Sequence, residues 1–268
     1  MYYSLISSMG KGLSDAQKFI LAAGITDATQ KSAINTLVDD LKFYGLWSKM
    51  KAIYPMVGGT ATTHQYNLKD PRDLDAAFRL KFFGGWNHSS GGALPNGISY
   101  SDTFFNPVSQ SSAQNSFFLS VYSRTNSNIG FPYDIGNADS WGSGTKFTGI
   151  ITRYNNGNRY ISVCDAYSSA NGETDSRAFY CGGTNGSSNQ RLYRNGTSVL
   201  SGTSQQSGFS NCNIYISAVN SLLSVPAANG YSNKQLAFAS LSDGLSATES
   251  ANFYTAVQAF QTTLSRQV

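Results

Sequence analysis

The sequence predicts a mainly β protein, a β-sandwich or barrel bracketed by helices. Three observations carry that prediction. Short runs of strand chemistry follow one another from Leu74 to Leu241, with turn residues at intervals of roughly 8 to 12 residues and no helical pattern between them. The hydrophobic period is helical before Tyr44, changes to alternation from Leu74, and becomes helical again after Ser246. Charged residues make up only 13% of the 268, while Tyr and Phe number 16 each and Gly 26, which suits faces of hydroxyls and amides around an aromatic core.

Taken in order, Ser14 and Gln17 form a capping box that opens a short helix through Phe19, Ile20 and Leu21, stopped by Gly24. Thr26 or Asp27 caps a longer helix to Tyr44. Its apolar stripe is Ile34, Leu37, Val38, Leu41 and Tyr44, and it needs either the domain behind it or a neighbouring subunit to lie on. Gly45 ends it, and Leu46 to Ile53 adds a further turn or two of helix before Pro55.

From Leu74, Ala76, Phe78, Leu80 and Phe82 alternate with polar or small residues as a half-buried strand, closed by Gly84-Gly85-Trp86. Asn87 to Ile98 reads as loop. Strands are then expected over Phe117–Tyr122, Phe147–Arg153, Tyr160–Cys164, Arg177–Cys181, Asn213–Val219 and Leu236–Leu241, with Gly182-Gly183 as a break. RLYRNGTSVL, residues 191–200, is a hairpin. Its Asn195-Gly196 pair suits a type I′ turn, which requires φ > 0 at both central residues. Ser246 and Glu249 cap a last helix whose face is Phe253, Val257, Phe260 and Leu264, expected to pack with the first helices on or beside the sandwich.

The division that follows is a helical lead-in over 1–56, a sandwich over 57–245 and a C-terminal helix over 246–268. The net charge of +4 is dispersed, and Asp70, Asp73 and Asp75 interrupt the densest basic stretch, so no nucleic-acid groove is expected. No apolar run approaches the ~20 residues of a membrane span, and MYYSLISSMGKGLSD has no signal-peptide pattern. Cys164, Cys181 and Cys212 lack metal-ligand spacing and are read as buried free thiols, with one pair able to bond outside the cell.

SRAFYCGGTNGSSNQRLYRNGTSVL resembles the strand and hairpin segment of the concanavalin A-like lectin/glucanase (laminin-G-like) jelly-roll superfamily. AFASLSDGLSATESANFYTAVQAFQTTLSRQV and KMKAIYPMVGGTATTHQYNLKDPRDLDAAFRL resemble that sandwich as it occurs in bacteriophage virion proteins, over residues 15 to 268 in all. The resemblance implies a concanavalin A-like jelly roll in a fibre, spike or appendage protein, located in the virion. Its implied partners are other virion proteins, further copies of itself (a trimer on family analogy) and a host cell-surface glycan. A purely structural head or tail component and a polysaccharide depolymerase are the alternatives.

Hydrolases of that superfamily carry glutamates and an aspartate at alternating strand positions, which sets two carboxylates on one face about 5–5.5 Å apart. This chain has two glutamates, Glu173 in a loop and Glu249 in a helix cap, so no enzymatic role is expected. A sugar site needs an aromatic face for the pyranose ring and planar polar groups for its hydroxyls. The loop candidates are Trp86 with Asn87 and His88, Trp141 with Asp139, and Tyr154 with Asn155 and Asn156. Asp134, Asn137 and Asp139 offer oxygen ligands for calcium within six residues, against the reading that they form an Asx-rich turn bonding its own backbone.

Overall fold

Both predicted capping boxes close. In the computed structural model, which describes residues 12–139, 146–165, 167–222 and 227–268, Ser14 accepts the Gln17 N–H at the start of α1 (Asp15–Ala22). Asp27 caps α2 (Ala28–Phe43) through the Gln30 N–H. The chain then makes one 3-10 turn, Trp47–Lys49, and enters β1 (Met50–Tyr54). Further helix was expected here. MKAIY instead supplies strand residues that pair with the last strand of the fold, so the sandwich begins inside the stretch assigned to the helical lead-in.

A one-turn helix, α3 (Ala61–His64), precedes β2 (Lys81–Phe83), β3 (Trp86–Ser89), β4 (Gly92–Pro95) and β5 (Tyr100–Asp102). Two expectations fail in this region. The alternation from Ala76 is broken because Asp75–Ala77 forms a 3-10 turn that ends on Phe78 at φ 59, leaving only three residues of strand. The presumed loop after Gly85 is a hairpin, with Trp86 opposite Pro95 and Ser89 opposite Gly92. Its polar residues hid it, since edge strands carry little apolar alternation.

Next come β6 (Ser116–Ser123), β7 (Ile135–Ala138), β8 (Phe147–Ile151), β9 (Arg159–Asp165), β10 (Ser168–Ala170), β11 (Ala178–Asn185), β12 (Asn189–Arg194) and β13 (Thr197–Thr203). β14 (Tyr215–Ile216), β15 (Val219–Ser221), β16 (Ala228–Asn229), β17 (Leu236–Ser242) and α4 (Ala247–Thr263) complete the chain. Gly182 and Gly183 lie inside β11 and do not break it.

Among the described residues the strands form two sheets. The first runs β13-β12-β11-β6-β17-β4-β3, with β1 also on β17; the second runs β10-β9-β8-β7-β14-β5-β2, with β15 on β7 and β16 on β15. Neighbours are antiparallel except β15 on β7. Between the sheets lie Phe117, Leu119, Val121, Ile135, Ile150, Ile161, Tyr180, Leu192 and Leu241, all essentially inaccessible. The chain is therefore a mainly β sandwich with N-terminal helices and an amphipathic C-terminal helix.

The helices cover the outer face of the first sheet. Ile34, Leu37, Val38 and Leu41 of α2 and Phe253, Val257 and Phe260 of α4 share one cluster with Phe118, Tyr122, Phe179 and Phe238 from the strands. The stripe that needed a surface finds it within its own chain. Arg266, 2% exposed, fastens the C-terminal end by donating to the carbonyls of Pro55, Met56 and Ala237 and to Gln261 Oε1. The three cysteines are buried free thiols, and burial pushes each up to about 12. Among the described residues no helix is long and apolar enough to cross a membrane.

Candidate carbohydrate-binding face

The helices leave the outer face of the second sheet to aromatic side chains. Alternation decides which residues those are: Ile150 and Ile161 point between the sheets, so Ile151 and Tyr160, paired across β8 and β9, point outward. Phe147 on β8 and Tyr133, just ahead of β7, at 0% and 1% exposure, form a buried layer with Ile151, against which the half-buried Tyr160 and Tyr167 pack. Phe147 and Tyr167 have centroids 4.5 Å apart, Tyr133 and Phe147 5.3 Å, and Tyr160 and Tyr167 5.5 Å. The hydroxyls of Tyr133 and Tyr167 are hydrogen-bonded to each other. Burial pushes both phenols up, Tyr167 to about 12, so they remain neutral donors and acceptors.

The turn between β8 and β9 extends this surface. Tyr154 N–H donates to Asn158 O, Gly157 N–H donates back to Tyr154 O, and Asn156 Oδ1 accepts the Asn158 N–H. These bonds close residues 154–158 into a tight loop. It holds Tyr154 edge-on to Phe131 (5.2 Å, 85°) and to Tyr160 (6.0 Å, 89°). Phe131 is 48% exposed and sits at φ 51, a backbone conformation costly for a bulky residue. Asn155 and Asn156 are exposed beside these rings, and Asn158 Nδ2 donates to Tyr160 Oη at 3.2 Å. Apolar ring faces next to fixed amides are what a pyranose requires: its C–H face lies on a ring while its hydroxyls meet the amides.

Of the sequence candidates, Tyr154, Asn155 and Asn156 belong to this face. Trp86, Asn87 and His88 do not, being on β3 at the end of the other sheet. Trp86 is half-buried against Phe82, and its indole N–H is shared between the carbonyls of Phe83 and Tyr100. His88 is tied through Nδ1 to Nδ1 of the buried His64 at 2.9 Å, and Asn87 alone of the three is exposed. Trp141 lies outside the described residues. Phe131, Tyr160 and Tyr167 were missed as site residues, and Tyr133 supports them from a buried position. The sequence marked Tyr160 only as part of a strand, and a strand buried on both faces carries no sign of which side is outward.

The calcium reading is corrected. Both carboxylate oxygens of Asp134 face the Lys234 ammonium, at 3.0 and 3.1 Å, and also accept from Thr152 N–H and Ser232 Oγ. Asn137 stands three residues further along the same extended segment, hence on its opposite face, where its Nδ2 donates to Cys212 O. Asp139 accepts from Lys146 N–H. These residues do not converge on one cation.

Glu173 lies in the loop the sequence assigned it, but it is buried. It is 6% exposed, 2.8 Å from Arg159 and 3.6 Å from Arg194. Glu249 caps α4 and pairs with Lys49 at 2.6 Å. Each glutamate is thus held by cations.

No family model matches the sequence, and no curated protein matches it. Solved structures do resemble the fold. One is domain 4 of AbnA, a GH43 extracellular arabinanase from Geobacillus stearothermophilus, solved with arabinotriose: 13% identity, TM-score 0.52, 76% of this chain and 98% of that one. Another is a mutant of Trypanosoma rangeli sialidase displaying trans-sialidase activity: 11% identity and TM-score 0.53 over 85% of this chain, which spans 39% of that protein's length. At such identities the likeness is one of fold, and the fold is a β-sandwich also found in proteins that handle carbohydrate.

Proposed function

We propose that this chain is a non-enzymatic, glycan-recognising component of a bacteriophage particle, a fibre, spike or appendage protein that works as a homo-oligomer, with a trimer favoured. The observation that carries glycan recognition is the outward face of Phe131, Tyr154 and Tyr160 beside Asn155, Asn156 and Asn158. The virion assignment rests on the resemblance of residues 49–80 and 237–268 to phage proteins. The absence of a catalytic role is supported by the sequence, which offers two glutamates, and by the ion pairs that hold both.

A glycan array probed with the purified chain, with its mass measured by light scattering, tests the reading. Binding to a host surface polysaccharide is expected, and Tyr154→Ala should weaken it roughly 3- to 10-fold. An array without binding, or affinity indifferent to Tyr154→Ala and Tyr160→Ala alike, removes the tyrosine face as a glycan site.

A further inference from the structure

The edge of the first sheet carries a groove of quite different chemistry. β12 presents Asn189, Arg191 and Tyr193 on its helix side, while Gln190 and Leu192 point into the sandwich. Across β11, Arg191 lies opposite Gly183, and Gly183 lies opposite Phe118 on β6. A Cβ at Gly183 would fall 1.8 Å from the Phe117 carbonyl oxygen, so glycine is required there, and Gly183 lines the groove together with Phe118 and Arg191. Residues 245–247, at the start of α4, close one end. The resulting space is about 390 Å³, within the ~300–1,000 Å³ usual for small-molecule sites.

Its polar groups are unspent. Arg191 is exposed and makes no ion pair or side-chain hydrogen bond among the described residues, and no carboxylate is among the residues that line the groove. Tyr193 is only 3% exposed, yet lines the groove with a hydroxyl that has no hydrogen-bond partner among them. The start of α4 adds positive potential. Ser246 takes up the N–H groups of Glu249 and Ser250, leaving that of Ala247, which lines the groove, without a partner among the described residues, while the Glu249 carboxylate is drawn onto Lys49 and the Ser246 N–H. A bare inorganic anion would leave most of this volume empty and Asn185, Asn189 and Ser198 unused.

We propose that this groove binds an acidic sugar, a hexuronate residue of a polysaccharide. Arg191 pairs with its carboxylate, Tyr193 Oη and the Ala247 N–H donate to it, and Asn185, Asn189 and Ser198 meet its ring hydroxyls. The site lies on the other sheet from the tyrosine face and does not depend on it.

Calorimetric titration of the intact chain with glucuronate, glucose and sulfate tests this. Glucuronate should bind at least roughly tenfold more tightly than glucose. Arg191→Gln should abolish that preference, Tyr193→Phe should weaken glucuronate while keeping the packing of the ring, and Tyr154→Ala should change nothing. Equal affinity for glucose and glucuronate, a preference that survives Arg191→Gln, sulfate binding as well as glucuronate, or no binding by any probe overturns the proposal. A failed glycan array with intact glucuronate binding would remove the tyrosine face alone.

Discussion

Lys234 Nζ lies 3.0 and 3.1 Å from the two carboxylate oxygens of Asp134, and neither side chain has any accessible surface. The pair joins the start of β7 to the approach to β17, and Thr152 N–H and Ser232 Oγ complete the coordination of the carboxylate. Lys234→Met leaves a buried carboxylate without its cation and should cost about 3–5 kcal/mol. Asp134→Leu combined with Lys234→Met removes both charges and should recover most of that loss. Urea midpoints of the three proteins decide it; a double variant no better than the single one would show that the pair stabilises by more than mutual neutralisation.

The same geometry predicts how the protein responds to a chelator. With Asp134 bound to Lys234 and Asn137 on the other side of the strand, melting curves with and without EDTA should superimpose. A melting temperature lowered by EDTA and restored by calcium would show that the carboxylate leaves the lysine in solution.

His64 supplies a pH dependence. It is 1% exposed, its Nε2 has no partner among the described residues, and burial, with the nearby His88 and Arg266 secondary, pushes it down to about 3. The unfolded chain keeps an ordinary histidine near ~6.5. Below that pH the unfolded state takes up a proton that the folded state refuses, so stability falls as the pH falls, by about 1.4 kcal/mol per unit from this group, until about pH 3. Between pH 6.5 and 5, before the carboxylates titrate, His64→Gln should show a slope shallower by about 1 kcal/mol per unit on average, since the unfolded histidine is only half protonated at the upper end. An unchanged slope would mean that His64 is already solvated in the native state.

How far the sequence reached follows from which signals are local. Helix caps are local: Ser14, Asp27 and Ser246 act on backbone three residues away, and all three helices start where their caps predict. The Asn195-Gly196 turn is local in the same way. The 86–95 hairpin was not legible because its pairing is exposed and polar, and β1 was missed because its partner is β17, nearly 190 residues later. The tyrosine face was half legible. The turn around Tyr154 announces itself, but Phe131, Tyr133 and Tyr167 reach it through the register of the sheet and through ring contacts, neither of which leaves a periodic trace. Asp134 was misassigned because its partner, Lys234, is distant in sequence and is an unusual residue to find fully buried.

Gly196 joins the hairpin to the helical layer. Asn195 and Gly196 sit at φ 49 and 75, as a type I′ turn demands, and Asn195 Oδ1 accepts the Phe179 N–H at 2.9 Å. A Cβ at Gly196 would lie 3.1 Å from Ala251 Cα and 3.3 Å from the Tyr254 ring, both on α4. Gly196→Ala therefore combines a left-handed backbone, about 1–2 kcal/mol for an L-residue, with pressure on the helix. Asn195→Gly leaves the turn conformation accessible and removes only the side-chain hydrogen bond to Phe179. The expected order of denaturation midpoints is wild type, then Asn195→Gly, then Gly196→Ala. If Gly196→Ala matched wild type, the hairpin would have to stand off α4 in solution, and the groove beside the start of that helix would be wider than the structure gives.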